Sequence, residues 1–378
     1  MHYFLIAGEA SGDLHGGALV AALRKADPEA VFTFLGGDCM AREAGEQPLV
    51  HYREMAYMGF GEVIRNLGKV RANLRTARRS VVASAPDALI LIDYPSFNLK
   101  VAETAAKARI PVYYYISPKI WAWKKWRVRT IRRIVRKVFS ILPFEPDFYR
   151  RNGAEAVYTG NPSVAEVDTS LAAADTREKF LKDNKLRDRP LVALMPGSRR
   201  AEIRNNLAVM TEALDRFPQY RGVIIGAPGI DDSLYAECGA KLPVLRVPHA
   251  AAVLAHCRAA LVTSGTATLE TALAGVPQVA VYRGNGWALT YKVMERVLDI
   301  PYVTLPNLIA DSQVIPELLM HLCTADAVAD ALGPLLRDTP ERQAQLDGYA
   351  RIREILGTKD SAAETARLLI ADLRLLQG

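Results

Sequence analysis

Two short stretches, Pro196-Gly197-Ser198-Arg199 and Ser264-Gly265-Thr266, have the residue types and spacing to hold an anion. Each follows an apolar run and precedes helix-forming sequence. Small residues at such a turn let backbone N–H groups approach a phosphate, and the helix that follows adds the positive end of its dipole. Arg199 or Arg200 can add a planar, permanently charged fork. A carboxylate is placed differently: Asp93 directly follows Ala88-Leu-Ile-Leu-Ile92, an apolar run typical of a strand covered on both faces. Ligands in open α/β sheets sit beyond the carboxyl ends of the strands, so Asp93 stands where a catalytic or binding carboxylate is expected, with the Asn98 amide nearby. The plain alternative is an aspartate capping the next helix.

Other motifs are excluded by spacing. After Gly8 the next glycine is Gly12, so the dinucleotide fingerprint is absent, and in Gly8-Glu-Ala-Ser-Gly12 the serine stands one position too late for a nucleophile elbow. His249 and His256 are seven apart, on one face if that segment is helical, and too far apart for the tight zinc pair. Cys39, Cys238, Cys257 and Cys323 are scattered, without metal-ligand or disulfide-framework spacing. No metal and no cofactor are expected.

These residues need elements to position them. Strands are expected over residues 3–8, 31–35, 88–92, 111–117, 137–143 and 156–160, then near 191–195, 222–227, 243–247, 259–264 and 278–282, with helical sequence between. Glu9 to Asp13 reads as a loop before a helix over 14–25. Asn161-Pro162 and the polar stretch through Pro190 read as a domain connection. The expected fold class is α/β, with two Rossmann-like domains whose parallel sheets face a central cleft. The domains are residues 1–162 and 163–355, followed by a C-terminal helix over 356–378. Ser361-Ala-Ala-Glu364 reads as a capping box, and Leu368, Leu369, Leu373 and Leu376 give that helix an apolar face that must dock on the first domain or on a second chain.

A chain of 378 residues with 50% hydrophobic content can bury two cores, and its +7 charge favours an acidic partner: nucleic acid, nucleotide or anionic membrane. Its apolar runs are too short and interrupted to span a bilayer, and its first residues lack the pattern of a secretory leader, so a cytoplasmic location is expected. Arg65 to Arg79 carries six basic residues and no acidic one, beside Met58, Phe60, Val63 and Ile64. That pairing suits a solvated helix face or, more sharply, docking on a lipid surface. Lys119 to Lys137 carries nine basic residues interleaved with Trp121, Trp123 and Trp126. No nucleic-acid module accompanies them, and no nucleic-acid partner is expected.

Eight stretches in order along the chain carry a family resemblance: Ala7-Gly-Glu-Ala-Ser-Gly-Asp13, Met58-Gly59, Asp93-Tyr-Pro-Ser-Phe-Asn98, Pro118-Lys-Ile-Trp-Ala-Trp123, Leu142-Pro-Phe-Glu145, Pro196-Gly-Ser-Arg199, Ser264-Gly-Thr-Ala-Thr-Leu-Glu270 and Leu305-Pro-Asn307. Together they resemble the lipid-A-disaccharide synthases, inverting glycosyltransferases of the GT-B type. Asn161 departs from the pattern, standing where many relatives have histidine. The resemblance implies transfer of 2,3-diacylglucosamine from its UDP derivative to the 6-hydroxyl of 2,3-diacylglucosamine 1-phosphate, at the cytoplasmic face of an anionic inner membrane and without a metal. It implies Asp93 as the base, with Glu9 and Ser11 assisting it or positioning the acceptor. Arg199 and the N–H groups of Ser264, Gly265 and Thr266 would meet the diphosphate. Glu270 would face the ribose, and Asn98 and Asn307 would bind or orient substrate groups.

Two other readings fit the same residues. A UDP-N-acetylglucosamine 2-epimerase-like enzyme would share the architecture without needing the apolar and aromatic surface. A non-enzymatic basic membrane adaptor would need no UDP site.

Overall fold

Every residue from Tyr3 to Ala7 is fully buried, and alternate side chains serve opposite layers. Tyr3, Leu5 and Ala7 join one apolar cluster with Ala88, Ile90 and Ile92, while Phe4 and Ile6 join another with Leu89 and Leu91. This is the strand period of two in a sheet covered on both faces. The computed structural model describes residues 1–55, 67–121, 126–238, 241–284 and 301–377. They divide into two units, Met1–Pro162 with Thr358–Gly378, and Ser163–Gly357.

In the first unit β1 (His2–Ala7), β2 (Val31–Leu35), β3 (Ala88–Ile92), β4 (Val112–Tyr115), β5 (Lys137–Ser140) and β6 (Ala156–Tyr158) form a six-stranded sheet in the order β2-β1-β3-β4-β5-β6. All its pairings are parallel. Helix α1 (Ala10–Ala26) follows β1 and α2 (Asp38–Ala44) follows β2. Helices α3 (Leu67–Ser84), α4 (Pro95–Lys107), α5 (Arg127–Ile134) and α6 (Glu145–Arg151) come later along the unit. The strand order reverses between β1 and β3, and ligands in such sheets bind at that reversal.

The second unit repeats the design with β7 (Leu191–Met195), β8 (Arg221–Ile225), β9 (Val244–Leu245), β10 (Cys257–Thr263), β11 (Gln278–Tyr282) and β12 (Glu317–Leu319), in the order β12-β11-β10-β7-β8-β9. These strands are also all parallel. Here the reversal lies between β7 and β10, whose outgoing loops lead into α7 (Arg200–Leu214) and α8 (Thr266–Leu273). Helix α9 (Leu305–Ala310) precedes β12. The stretch after Pro162 is no bare linker: it is largely helical, and Phe180 and Leu181 pack into this unit's core.

Three local readings are corrected. Helix α1 starts at Ala10, so Ser11, Gly12 and Asp13 belong to its first turn rather than to a loop. The last helix, α10 (Ser361–Gln377), is capped by Asp360, whose carboxylate accepts the Ala363 N–H at 3.0 Å, and not by Ser361. Ser361 is buried and bonds the Tyr115 hydroxyl at 3.1 Å instead. His249 and His256 do not share a helical face, because only Ala251–Leu254 is helical there; His256 stacks on Phe180.

Helix α10 belongs to the first unit. Ala366, Leu369, Ile370 and Leu373 pack into the cluster of Leu19, Val20 and Leu23 from α1. Its polar anchor is Asp372, which accepts from Tyr113 Oη at 2.6 Å and pairs with Arg136 at 2.5 Å and Lys137 at 3.3 Å.

Candidate active site

In the second unit the anion-type loops are neighbours because their strands are. Met195 pairs with Val262 at the carboxyl edge of β7 and β10, so residues 196–199 and 264–266 leave the sheet side by side. Asn206, fully buried on α7, fastens them: its Nδ2 donates to the Pro196 carbonyl at 3.2 Å and to Thr263 Oγ1 at 2.9 Å, and its Oδ1 accepts the Arg283 N–H at 2.7 Å. Three loops at one sheet edge therefore share one amide. The sequence carried a sign of it, since Asn206 is the polar member of an apolar stripe with Ile203, Leu207 and Met210.

Gly197 has φ +120°, a conformation that side chains rarely adopt, and it opens the turn to Arg199, the N-cap of α7. Arg199 is exposed and pairs with Glu202 at 3.0 Å. Ser264 is half-buried, while Gly265 and Thr266 are exposed at the start of α8. Glu270 lies one turn on; burial pushes its carboxyl up, Glu166 adds to this, and His249 opposes it. Asn307 is fully buried and its amide is committed within the unit. Its Nδ2 donates to the Ile315 carbonyl at 3.0 Å and Glu317 Oε1 at 2.9 Å, and its Oδ1 accepts from Val314 and Ile315.

In the first unit Asp93 and Glu9 occupy the corresponding reversal. Ala7 pairs with Ile92, so Glu9, the N-cap of α1, and Asp93 follow adjacent strands. Ser11 is exposed on the first turn of α1. Asp93 and Tyr94 both hold left-handed backbone, with φ of +44° and +45°. Such residues cost of order 1–3 kcal/mol each and persist where surroundings over-determine them. Here the Asp93 N–H donates to the Ile116 carbonyl at 3.1 Å, and the Asp93 carbonyl accepts from Tyr114 Oη at 2.6 Å and Asn98 Nδ2 at 2.7 Å. Asn98 is fully buried, and its amide also reaches the Ile92 carbonyl at 3.2 Å. It is therefore a brace for Asp93. Burial pushes the Asp93 carboxyl above the usual aspartate range, partly offset by the Tyr94 N–H and by Lys119.

Lys119 reaches solvent, yet crowding by protein lowers its ammonium; Glu145 and Asp93 hold it up. Glu145 is fully buried at the start of α6 and gathers Ser140 Oγ at 2.5 Å, Trp121 Nε1 at 2.9 Å and Ser117 Oγ at 3.4 Å. Burial pushes its carboxyl up to about 7 against those three donors and Lys119. It thereby pins the segment carrying Lys119 to the end of β5. Asp13 is a second internal carboxyl group, buried and accepting the N–H groups of Gly37, Cys39 and Met40 at 2.7, 2.9 and 3.2 Å, so it caps α2 from α1. Both stand in the family-like stretches, but local spacing gives neither of them a role. Met58, Phe60, Val63 and Ile64, proposed for lipid docking, lie outside the described residues.

The family model described as Lipid-A-disaccharide synthetase matches residues 3–370. The lipid-A-disaccharide synthase of Geobacter sulfurreducens is 36% identical over 374 residues, covering 97% of this chain and 96% of that protein. Among solved structures, the UDP-GlcNAc 2-epimerase from Neisseria meningitidis superposes with a TM-score of 0.63 at 11% identity, covering 100% of both chains. The calicheamicin glycosyltransferase gives 0.60 at 17%, covering 98% of both. At those identities the structures share the fold alone, which is that of GT-B glycosyltransferases and of the epimerases. With a family model spanning nearly its whole length and a curated relative at more than a third identity, the chain belongs to the lipid-A-disaccharide synthase family.

Proposed function

We propose that the chain is a hexosyltransferase that moves 2,3-diacylglucosamine from its UDP derivative to the 6-hydroxyl of 2,3-diacylglucosamine 1-phosphate. One observation carries the reading: family similarity spans residues 3–370, and within that span the loops at both strand-order reversals hold the charges this reaction needs. The epimerase alternative is not favoured, since its representatives share only the fold.

Residues 1–162 take the acceptor and residues 163–355 the UDP-sugar. The acceptor 6-hydroxyl oxygen attacks C1 of the donor, its proton passes to the Asp93 carboxylate, and the C1–oxygen bond breaks with its electron pair leaving on UDP. One displacement inverts the anomeric centre. Arg199 and the N–H groups around Ser264, Gly265 and Thr266 balance the charge that grows on the diphosphate. Glu270 accepts from the ribose hydroxyls, and Glu9 and Ser11 position the acceptor. Asn98 and Asn307 act through the backbones they hold, Asn98 on Asp93 and Asn307 on the turn before β12.

Peripheral attachment at the cytoplasmic face of an anionic membrane accompanies this reading. It is supported by α3, where Lys69, Arg71, Arg75, Arg78 and Arg79 face no acidic residue of their own helix, and by Trp126, 62% exposed beneath the Arg127 guanidinium. Among the described residues no helix is long and apolar enough to cross a membrane.

The test is formation of the disaccharide 1-phosphate from the two substrates with excess chelator, read by mass spectrometry, for the parent and Asp93→Asn. Product from the parent, with UDP binding kept but turnover lost in the variant, is the expected result. Equal turnover in both removes Asp93 as the base. A parent that binds UDP yet forms no product removes the lipid acceptor.

A further inference from the structure

The loop assigned to the diphosphate already holds a carboxylate. Glu202 Oε2 accepts the Ser198 N–H at 3.3 Å, and Glu202 Oε1 pairs with Arg199 Nη1 at 3.0 Å. The contact is built into the turn. A Cβ on Gly197 would lie 2.8 Å from both Glu202 Cβ and Oε2, so glycine at that position is what lets the carboxylate approach. The Glu202 side chain is only 17% exposed, whereas its partner Arg199 is 69% exposed. Arg199, the N-cap of α7, gives that helix no side-chain cap.

We propose that Glu202 is an internal anion that occupies the Ser198–Arg199 cradle in the ligand-free chain and yields it to the diphosphate, setting how tightly UDP is held and how readily it leaves. The inference rests on the reading that this loop binds UDP. A carboxylate and a diphosphate both need N–H and guanidinium donors, and both are negative, so they cannot share the same donors without repulsion. Glu202 keeps Arg199 folded over the loop while the site is empty, and the guanidinium changes partner when UDP arrives. The cost of that exchange weakens UDP binding and speeds product release. A plain helix-capping role for Glu202 predicts the opposite sign, because losing a cap loosens the loop and weakens every ligand.

The test is calorimetric titration of the full chain with UDP and, separately, with uridine, for the parent and Glu202→Gln. Even at the full screening of water, removing one like charge about 4 Å from an anion is worth about fivefold in affinity. Glu202→Gln is therefore expected to bind UDP about fivefold tighter, to show product inhibition by UDP at correspondingly lower concentration, and to bind uridine as the parent does. UDP affinity that is unchanged or weaker overturns the proposal, as does equal tightening for uridine. If the Gln variant does not fold, Glu202→Met, which keeps the length and drops the charge, takes the same measurements. A folded parent that binds no UDP sinks the UDP reading itself, whereas UDP binding by the parent with no tightening in the variant sinks only the role given to Glu202.

Discussion

The Tyr94 ring occupies the space a side chain on Gly8 would need: a Cβ there would lie 2.3 Å from Tyr94 Cγ and Cδ1. Tyr94 Oη also donates to the Met55 carbonyl at 2.9 Å, so one ring ties the chain after β1, β2 and β3 beside Asp93. Gly8→Ala must displace that ring. Overpacking of this kind costs about 1–3 kcal/mol. The expected outcome is a lower melting temperature and turnover reduced by at least tenfold, with UDP affinity unchanged because the loops proposed to bind UDP lie in the other unit. A double-mutant cycle with Tyr94→Ala should show strong coupling between the two positions. Additive effects would separate Gly8 from Tyr94.

As the proposed base, Asp93 must be ionised to accept a proton, and burial raises its pKa. Activity should therefore fall with decreasing pH along a limb lying above the ordinary aspartate range. Lys119 pulls that pKa down, so Lys119→Met should shift the limb to higher pH while leaving the pH-independent rate within about tenfold. The measurement is kcat against pH for both proteins. An unmoved limb would show that the limiting group is not under the influence of Lys119.

Much of this was legible in the sequence, and the illegible part has a physical pattern. Apolar runs such as 88–92 and 191–195 marked the strands because both sheet faces are covered, and loop chemistry marked both reversals of strand order. What escaped were long-range polar contacts. Asp13 caps a helix 24 to 27 residues away, Glu145 gathers Trp121 from 24 residues away, and Asn206 reaches Arg283 across 77. No local spacing encodes a bond whose partner is fixed only when the sheet forms. The capping box at Ser361 failed for the same reason: that hydroxyl is taken by Tyr115, and Asp360 caps the helix instead.

Asn206 gives the third prediction. Replacing it with leucine keeps the branching and heavy-atom count but leaves the Pro196 carbonyl and the Arg283 N–H without their partner. Unsatisfied buried polar groups cost about 1–3 kcal/mol each. Asn206→Leu should lower the melting temperature and weaken UDP binding by more than tenfold, because both anion loops lose their common anchor. Thermal melts with and without UDP check this: the shift that UDP produces in the parent should shrink in the variant. An undiminished shift would mean that the loops hold their places without the amide.

Glu145 gives the last prediction, and its sign follows from linkage. Its carboxyl is raised from 4.5 to about 7 in the folded chain, chiefly by burial. The folded state thus holds the proton more tightly than the unfolded state, so the stability that Glu145 contributes is full below about pH 4.5 and is lost as pH rises through about 7. At about 1.4 kcal/mol per pH unit the loss amounts to about 3 kcal/mol. Glu145→Gln has no such titration. Its amide can accept from Trp121 through its oxygen and donate to the Ser140 oxygen through its nitrogen, as the protonated acid does through its carbonyl and hydroxyl, so the two proteins should be most alike in stability at acid pH. Between pH 5 and 8 the parent should lose stability relative to the variant. Denaturant melts of both proteins across that range provide the check, and a stability difference independent of pH would mean that Glu145 keeps one protonation state throughout.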